Sequence, residues 1–270
     1  MTAQTIARPV AAPAFGRFTG LRPLLRKDTT EWMRGRRALI VLVITATFMV
    51  LTAANAWITT QIAQSLPPDV VPPELPGSLA PLDNLMVALG SQIFILAAIF
   101  AVASLIVRER ESGTLAWVAS KPVTRDAIWL SKWISAGSIL AVTAVLLPLA
   151  ATTVVVIALY GTFDLVPVLV VAAAAVAAVA FYAALGLAAG TAMPGQPAIV
   201  ATGFMVFALA PLVVGLIPLP IAPFLPTSIL AWGMGAVSGA DVGWVTPVAW
   251  ALWTSGLVVL AIVRMRRIEL

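Results

Sequence analysis

All sixteen Lys and Arg residues of this chain fall in three short stretches, separated by long uncharged apolar runs. Eight precede Ala38: Arg8, Arg17, Arg22, Arg26, Lys27, Arg34, Arg36 and Arg37. Five lie between residues 108 and 132: Arg108, Arg110, Lys121, Arg125 and Lys132. The last three are Arg264, Arg266 and Arg267. Basic residues resist translocation, so loops that hold them stay in the cytoplasm. The pattern therefore predicts a membrane protein, its orientation, and the face on which soluble partners dock.

A helix needs about 20 apolar residues to cross a hydrocarbon core of about 30 Å. Six stretches qualify: 38–60, 85–107, 133–158, 165–189, 198–217 and 247–263. Pro148 lies inside the third and Pro211 inside the fifth, where they are expected to kink the helices. The sixth is short and could begin nearer Gly243. Six crossings from a cytoplasmic N-terminus return the C-terminus to the cytoplasm and keep every basic stretch inside. Five or seven would place one outside. The expected fold is an all-α integral membrane protein with six transmembrane helices and both termini cytoplasmic. A mobile cytoplasmic tail is expected over 1–20, an amphipathic connecting helix over 21–37, and the transmembrane domain over 38–270. Residues 1–20 lack the continuous apolar core of a signal peptide.

The chain is 61% hydrophobic and only 10% charged, against about 25% charged in soluble domains. Its net charge of +5 does not point to nucleic acid. The basic stretches mix their sixteen cations with six acidic residues, whereas the remaining loops hold the other five acidic residues and no cation. Such asymmetry fits a cytoplasmic face beside anionic membrane lipid. There is no soluble basic domain to hold a nucleic acid.

Two external segments stand out. Residues 61–84 contain Pro67, Pro68, Pro72, Pro73, Pro76 and Pro81, and are expected to be extended and non-helical. Residues 218–246 are apolar and broken by Pro218, Pro220, Pro223 and Pro226. The piece 227–237 is too short to cross, so an interfacial or re-entrant helix is expected. Gly186 and Gly190, with the Ala-rich 172–180 region, give the fourth span a small-residue face suited to close packing within one subunit or between two.

On the basic side, 21–34 reads as an amphipathic helix with Leu21, Leu24, Leu25 and Trp32 on one face. Asp28 falls on that apolar face, where it either pairs with a nearby Arg or meets a partner protein. The 108–132 stretch is more informative. Gly113 should end the helix descending from the second span. Residues 114–120 form a short apolar piece with Leu115, Trp117 and Val118 exposed, and Pro122 breaks the chain again. Thr124 is an expected N-cap, with Val123 and Ile128 at the positions of a hydrophobic staple, so that 114–120 reads as a short helix braced between two sharp turns and two spans. Clustered surface apolar side chains usually meet a partner.

At these residues the chain resembles the permease subunits of type-2 ATP-binding-cassette transporters. The run Glu109-Arg-Glu-Ser-Gly113-Thr-Leu115, then Ser120-Lys-Pro122-Val-Thr-Arg125 and Ser131-Lys132, matches that family's signature between its second and third spans. The resemblance covers the chain from about Leu21 onward. It implies a type-2 exporter permease fold and a coupling helix near 114–120 seated in a groove of a separate ATPase. It also implies a working complex of two ATPases and two permeases, the second permease being identical or homologous. Substrates in this family are often lipophilic drugs, lipids or glycans. Gly113, Thr114, Leu115, Ala116, Trp117 and Val118 would form the contact, with Glu109, Glu111 and Arg125 as charged contacts around it. ATP and Mg are expected on the partner ATPase and no cofactor on this chain.

The chemistry missing from the sequence agrees. A P-loop requires Gly-Lys-Ser/Thr, but Lys27, Lys121 and Lys132 follow Arg26, Ser120 and Ser131. The chain is therefore not expected to be an enzyme on its own. An ion-coupled carrier needs ionisable groups within its spans, and the six spans have none in their cores. With no His or Cys, no metal site, Ser–His pair or thiol chemistry is expected. Asn55 and Gln92 are polar groups in spans, placed either between helices or along a pathway. The alternative to a permease is a non-transporting scaffold or regulatory subunit.

Overall fold

The computed structural model describes residues 18–65, 81–193, 195–216 and 220–267, together with Gly16 and Pro67. Most of the expected tail 1–20, and the centre of the proline-rich segment, lie outside the described residues. The helices are α1 (Leu21–Arg34), α2 (Arg36–Ser65), α3 (Pro81–Gly90), α4 (Ile93–Ala103), α5 (Leu105–Glu111) and α6 (Thr114–Ala119). They continue with α7 (Arg125–Leu140), α8 (Leu147–Tyr160), α9 (Val166–Ala192), α10 (Gln196–Leu216), α11 (Ile229–Val237) and α12 (Val245–Arg267). Among the described residues there is no strand.

Six helical stretches in that set are long and apolar enough to cross a membrane: 36–65, 81–111, 125–160, 166–192, 196–216 and 245–267. The expected count holds, but several boundaries move. Residues 61–65 and 81–84, expected to be extended, are helical ends of α2 and α3. The second crossing is broken into α3, α4 and α5, stacked end to end. Its first break is at Gln92, whose φ of 51° is left-handed, a region that non-glycine residues seldom occupy.

The third crossing starts at Arg125, not 133. Thr124 caps it as expected, its side chain accepting from the Ala127 N–H at 3.2 Å. Residues 125–132 carry no breaker, so the helix that Thr124 caps runs on without interruption into the span. Pro148 is accommodated by a π-helical turn over Ala141–Leu146. In that wider register, residue i donates to i−5, so the Thr143 carbonyl would look to the nitrogen of Pro148, which has no hydrogen. The Thr45 hydroxyl of α2 lies 3.3 Å from that carbonyl, the kind of neighbour that lets membrane helices keep proline.

The core is organised around α9. It packs against α4, α7, α10, α11 and α12, and its small residues set the distances. A Cβ on Gly186 would lie 2.5 Å from Val102 of α4, and one on Gly190 would lie 3.3 Å from Ile106 of α5. The small-residue face is therefore occupied from within the chain. The re-entrant region forms two 3₁₀ turns, Ala222–Phe224 and Pro226–Ser228, followed by α11. α11 does lie against the bundle without crossing, pressed so closely on α9 that a Cβ on Gly233 would meet Ala174 at 2.5 Å. By contrast, α10 buries only Ile199 and Gly203. It exposes Phe204, Met205, Leu209 and Leu212, as a surface facing lipid or another apolar partner would.

Candidate functional site

The three basic stretches converge on one end of the bundle. There α6 is a single short helix between two sharp turns. Gly113 precedes it at φ 71°, the left-handed geometry that ends α5. After it, the chain at Val123 packs on Gly20, whose φ is 85°, and Thr124 N–H donates to the Thr19 carbonyl at 3.1 Å. The start of α1 is thus tied to the exit of α6.

The two faces of α6 differ. Leu115 and Val118, expected on the surface, are buried instead. They join Leu24 of α1, Ile106 of α5, Ile128 and Trp129 of α7, and Ile262 and Met265 of α12 in one apolar cluster. The i, i+3 spacing of Leu115 and Val118 puts both on the inner side of the helix. Each such burial contributes about 1.5–3 kcal/mol relative to exposure. Trp117 and Ala116 face outward, and Trp117 is 60% exposed. The Lys121 ammonium sits 3.5 Å from the centre of its ring, a cation–π contact that orients the indole.

Behind α6 lies a charged network that sequence reading missed. Lys132 of α7 contacts Glu109 of α5 at 2.7 Å and Asp28 of α1 at 3.8 Å. Lys27 lies 3.3 Å from Glu109, 3.5 Å from Asp28 and 3.3 Å from Glu31. The Ser131 hydroxyl donates to Asp28 at 2.7 Å. Asp28 and Lys132 are both buried. Burial lowers the pKa of the Lys27 ammonium, but the carboxylates of Glu109, Asp28 and Glu31 together outweigh it and hold the pKa above its ordinary value. The network pins three helices at one point. The signal was present in the sequence, since a carboxylate between Leu24 and Trp32 on a buried face needs a counter-ion. That counter-ion is Lys, not the expected Arg.

Three further arginines at this end fasten one helix to another. Arg125 donates to the carbonyls of Met265 and Arg266 at 3.3 and 2.9 Å, capping the C-terminal turn of α12. Arg266 grips Asp126 with two donors, Nε at 2.7 Å from Oδ1 and Nη2 on Oδ2. Arg110 donates to the Met193 carbonyl at 2.9 Å, fastening the end of α9 to α5. Of the three charged residues expected to surround a partner contact, Glu111 is exposed, whereas Glu109 and Arg125 brace the chain itself.

Residues 22–267 match the ABC-2 family transporter protein family. The chain belongs to that family. No curated protein matches it. Membership and the six apolar helices identify a multi-pass membrane protein and the permease component of an ABC transporter, a class that transports and is generally not itself catalytic.

In this ABC-2 permease a second feature lies among the segments far from the basic clusters. A cavity of about 650 Å³ is lined by Gln92, Tyr182, Phe207, Pro211, Trp232 and Asp241, among others. It is amphipathic: aromatic rings and proline from α9, α10 and α11, with Gln92 from the strained break in the second crossing. Its size is in the range of small-molecule sites, about 300–1,000 Å³. Gln92 therefore faces a cavity. Asn55 is exposed on α2 and does not line it.

Proposed function

We propose that this permease subunit is the membrane half of an ATP-driven exporter of a lipophilic or amphipathic compound, worked by a separate ATPase that grips α6. The observation that carries the reading is the two-faced build of that helix. Trp117 stands out as an apolar tip, while Leu115 and Val118 are fixed in a cluster shared by α1, α5, α7 and α12. A push on the tip would reach α7 and α12 through packed side chains, and α5 through the Lys132–Glu109 pair. In this reading the basic end and both termini are cytoplasmic, and α1 lies along the inner leaflet of the cell membrane.

ATP and Mg would be held by the partner, two copies of which would serve two permease subunits, identical or homologous. The chamber around Gln92, Tyr182 and Trp232 suits a compound with a large apolar part and few polar groups. Rocking of α9 against α10 and α12 would open or close it. The test is co-reconstitution of the chain in proteoliposomes with the P-loop ATPase that co-purifies with it. The chain is expected to raise ATP hydrolysis severalfold and make it responsive to lipophilic compounds. Hydrolysis indifferent to the chain contradicts the reading.

A further inference from the structure

A cavity of about 380 Å³ beside the charged network has two unlike walls. The inner wall is Asp28, Glu109 and Lys132, and the two carboxylates are balanced by two ammonium groups, Lys132 in the wall and Lys27 beside it. Glu31 at the rim is drawn to Lys27 at 3.3 Å. The outer wall carries Arg37, at the start of α2, and Arg108 of α5. Among the described residues neither guanidinium has a carboxylate within ion-pair distance. Two guanidinium groups close enough to act on each other therefore face one cavity, with Glu31 the carboxylate that acts on Arg37 from beyond ion-pair distance. Forked guanidinium donors suit phosphate oxygens.

Arg37 and Ser104 also line a second space, of about 430 Å³, running between α2 and α4. Its walls are apolar, with Ile40, Ile44, Leu96 and Phe100 among them. Ile40, Ile44 and Phe100 are exposed, so no part of the described chain covers the groove. From Arg37 to Ile44 the helix rises about 10 Å. The cavity that holds the two guanidinium groups thus shares a wall, Arg37 and Ser104, with an apolar groove on the side of two membrane-crossing helices. A soluble anion would use only the first space and a neutral amphiphile only the second.

We propose that this composite site holds one anionic phospholipid, with its phosphate between Arg37 and Arg108 and an acyl chain in the groove between α2 and α4. The lipid bridges α2, α4 and α5 at the end of the bundle that carries α6. The site is separate from the aromatic chamber, and the proposal stands independently of the ATPase reading.

The test is native mass spectrometry of the purified full chain, equilibrated with equal amounts of phosphatidylglycerol and phosphatidylcholine bearing the same acyl chains. One phosphatidylglycerol per chain is expected, favoured about tenfold or more, given roughly fivefold per basic residue at an anionic surface. In R37Q/R108Q the preference should vanish. In R22Q/R267Q, which removes two cations outside the cavity, it should persist. Ala97→Phe, which fills the groove while leaving both arginines, should also release the lipid, and it keeps the test decisive if R37Q/R108Q folds poorly. Equal retention of the two lipids by the native chain would mean annular lipid only and would overturn the proposal. So would unchanged phosphatidylglycerol retention in R37Q/R108Q or in Ala97→Phe, or loss of the preference in R22Q/R267Q. Displacement of the lipid by inorganic phosphate alone would assign the site to a free anion and equally overturn it.

Discussion

Trp117→Asp is expected to abolish stimulation of the partner ATPase while leaving folding and membrane insertion intact. Trp117 is 60% exposed and contributes nothing to the buried cluster beneath α6, so the chain itself loses little. A docking partner would lose a large aromatic anchor and have to bury a carboxylate. Truncating such an anchor typically costs about 2–4 kcal/mol, roughly thirty- to thousandfold in affinity. Leu115→Ala should behave oppositely. Leu115 is fully buried, and its truncation is expected to cost about 2–5 kcal/mol of stability, lowering yield and thermal midpoint before any specific effect on coupling. Measuring ATPase stimulation and thermal unfolding on both variants separates the two faces of the helix. A Trp117→Asp chain that still couples normally would mean the contact lies elsewhere.

The second large effect is expected from Lys132→Met. Lys132 is buried, 2.7 Å from Glu109 and 3.8 Å from Asp28. Methionine fills similar space but leaves those carboxylates with the half-exposed Lys27 alone. Removing one partner of a buried pair typically costs about 3–5 kcal/mol. For a chain of this size that corresponds to a drop on the order of 10 °C in unfolding temperature. Removing the uncompensated charge as well, in Lys132→Met/Glu109→Gln, should restore part of the loss. The coupling between the two changes, read by thermal unfolding, measures the pair directly. Independent, additive effects of the two substitutions would show that the network is not a brace. Lys132→Arg is not expected to rescue fully, because the forked guanidinium does not fit a site shaped around a compact ammonium.

The crossings were legible because charge exclusion and apolar length act along the chain and need no knowledge of neighbours. The same locality made Gly113, Thr124 and Pro122 readable as turns and caps. What escaped was decided across the chain. Whether Leu115 faces in or out depends on Leu24, Ile128 and Met265, which come from three other helices. The role of Lys132 depends on Asp28 and Glu109, far away in sequence. Arg110, Arg125 and Arg266 looked like topology markers. They are also clasps, each fastening one helix end to another. The bend absorbing Pro148 was expected, but its π-helical form rests on Thr45 of a different helix. Gln92 was readable as polar within a span, whereas its left-handed backbone and its place at a cavity emerged only from packing.

The account rests on α6 being the point where a separate ATPase holds this permease. The sequence contains no cysteine, so Ala116→Cys creates a unique thiol on the exposed face of that helix while leaving Trp117 in place. Disulfide trapping against single cysteines around the surface of the ATPase, in sealed vesicles, tests the claim most directly. The expected result is a cross-link formed in the assembled complex, with residue 116 labelled by a membrane-impermeant maleimide only from the side on which ATP is hydrolysed. Labelling of residue 116 only from the opposite side, or an assembled, active complex in which no ATPase position traps it, would contradict the account.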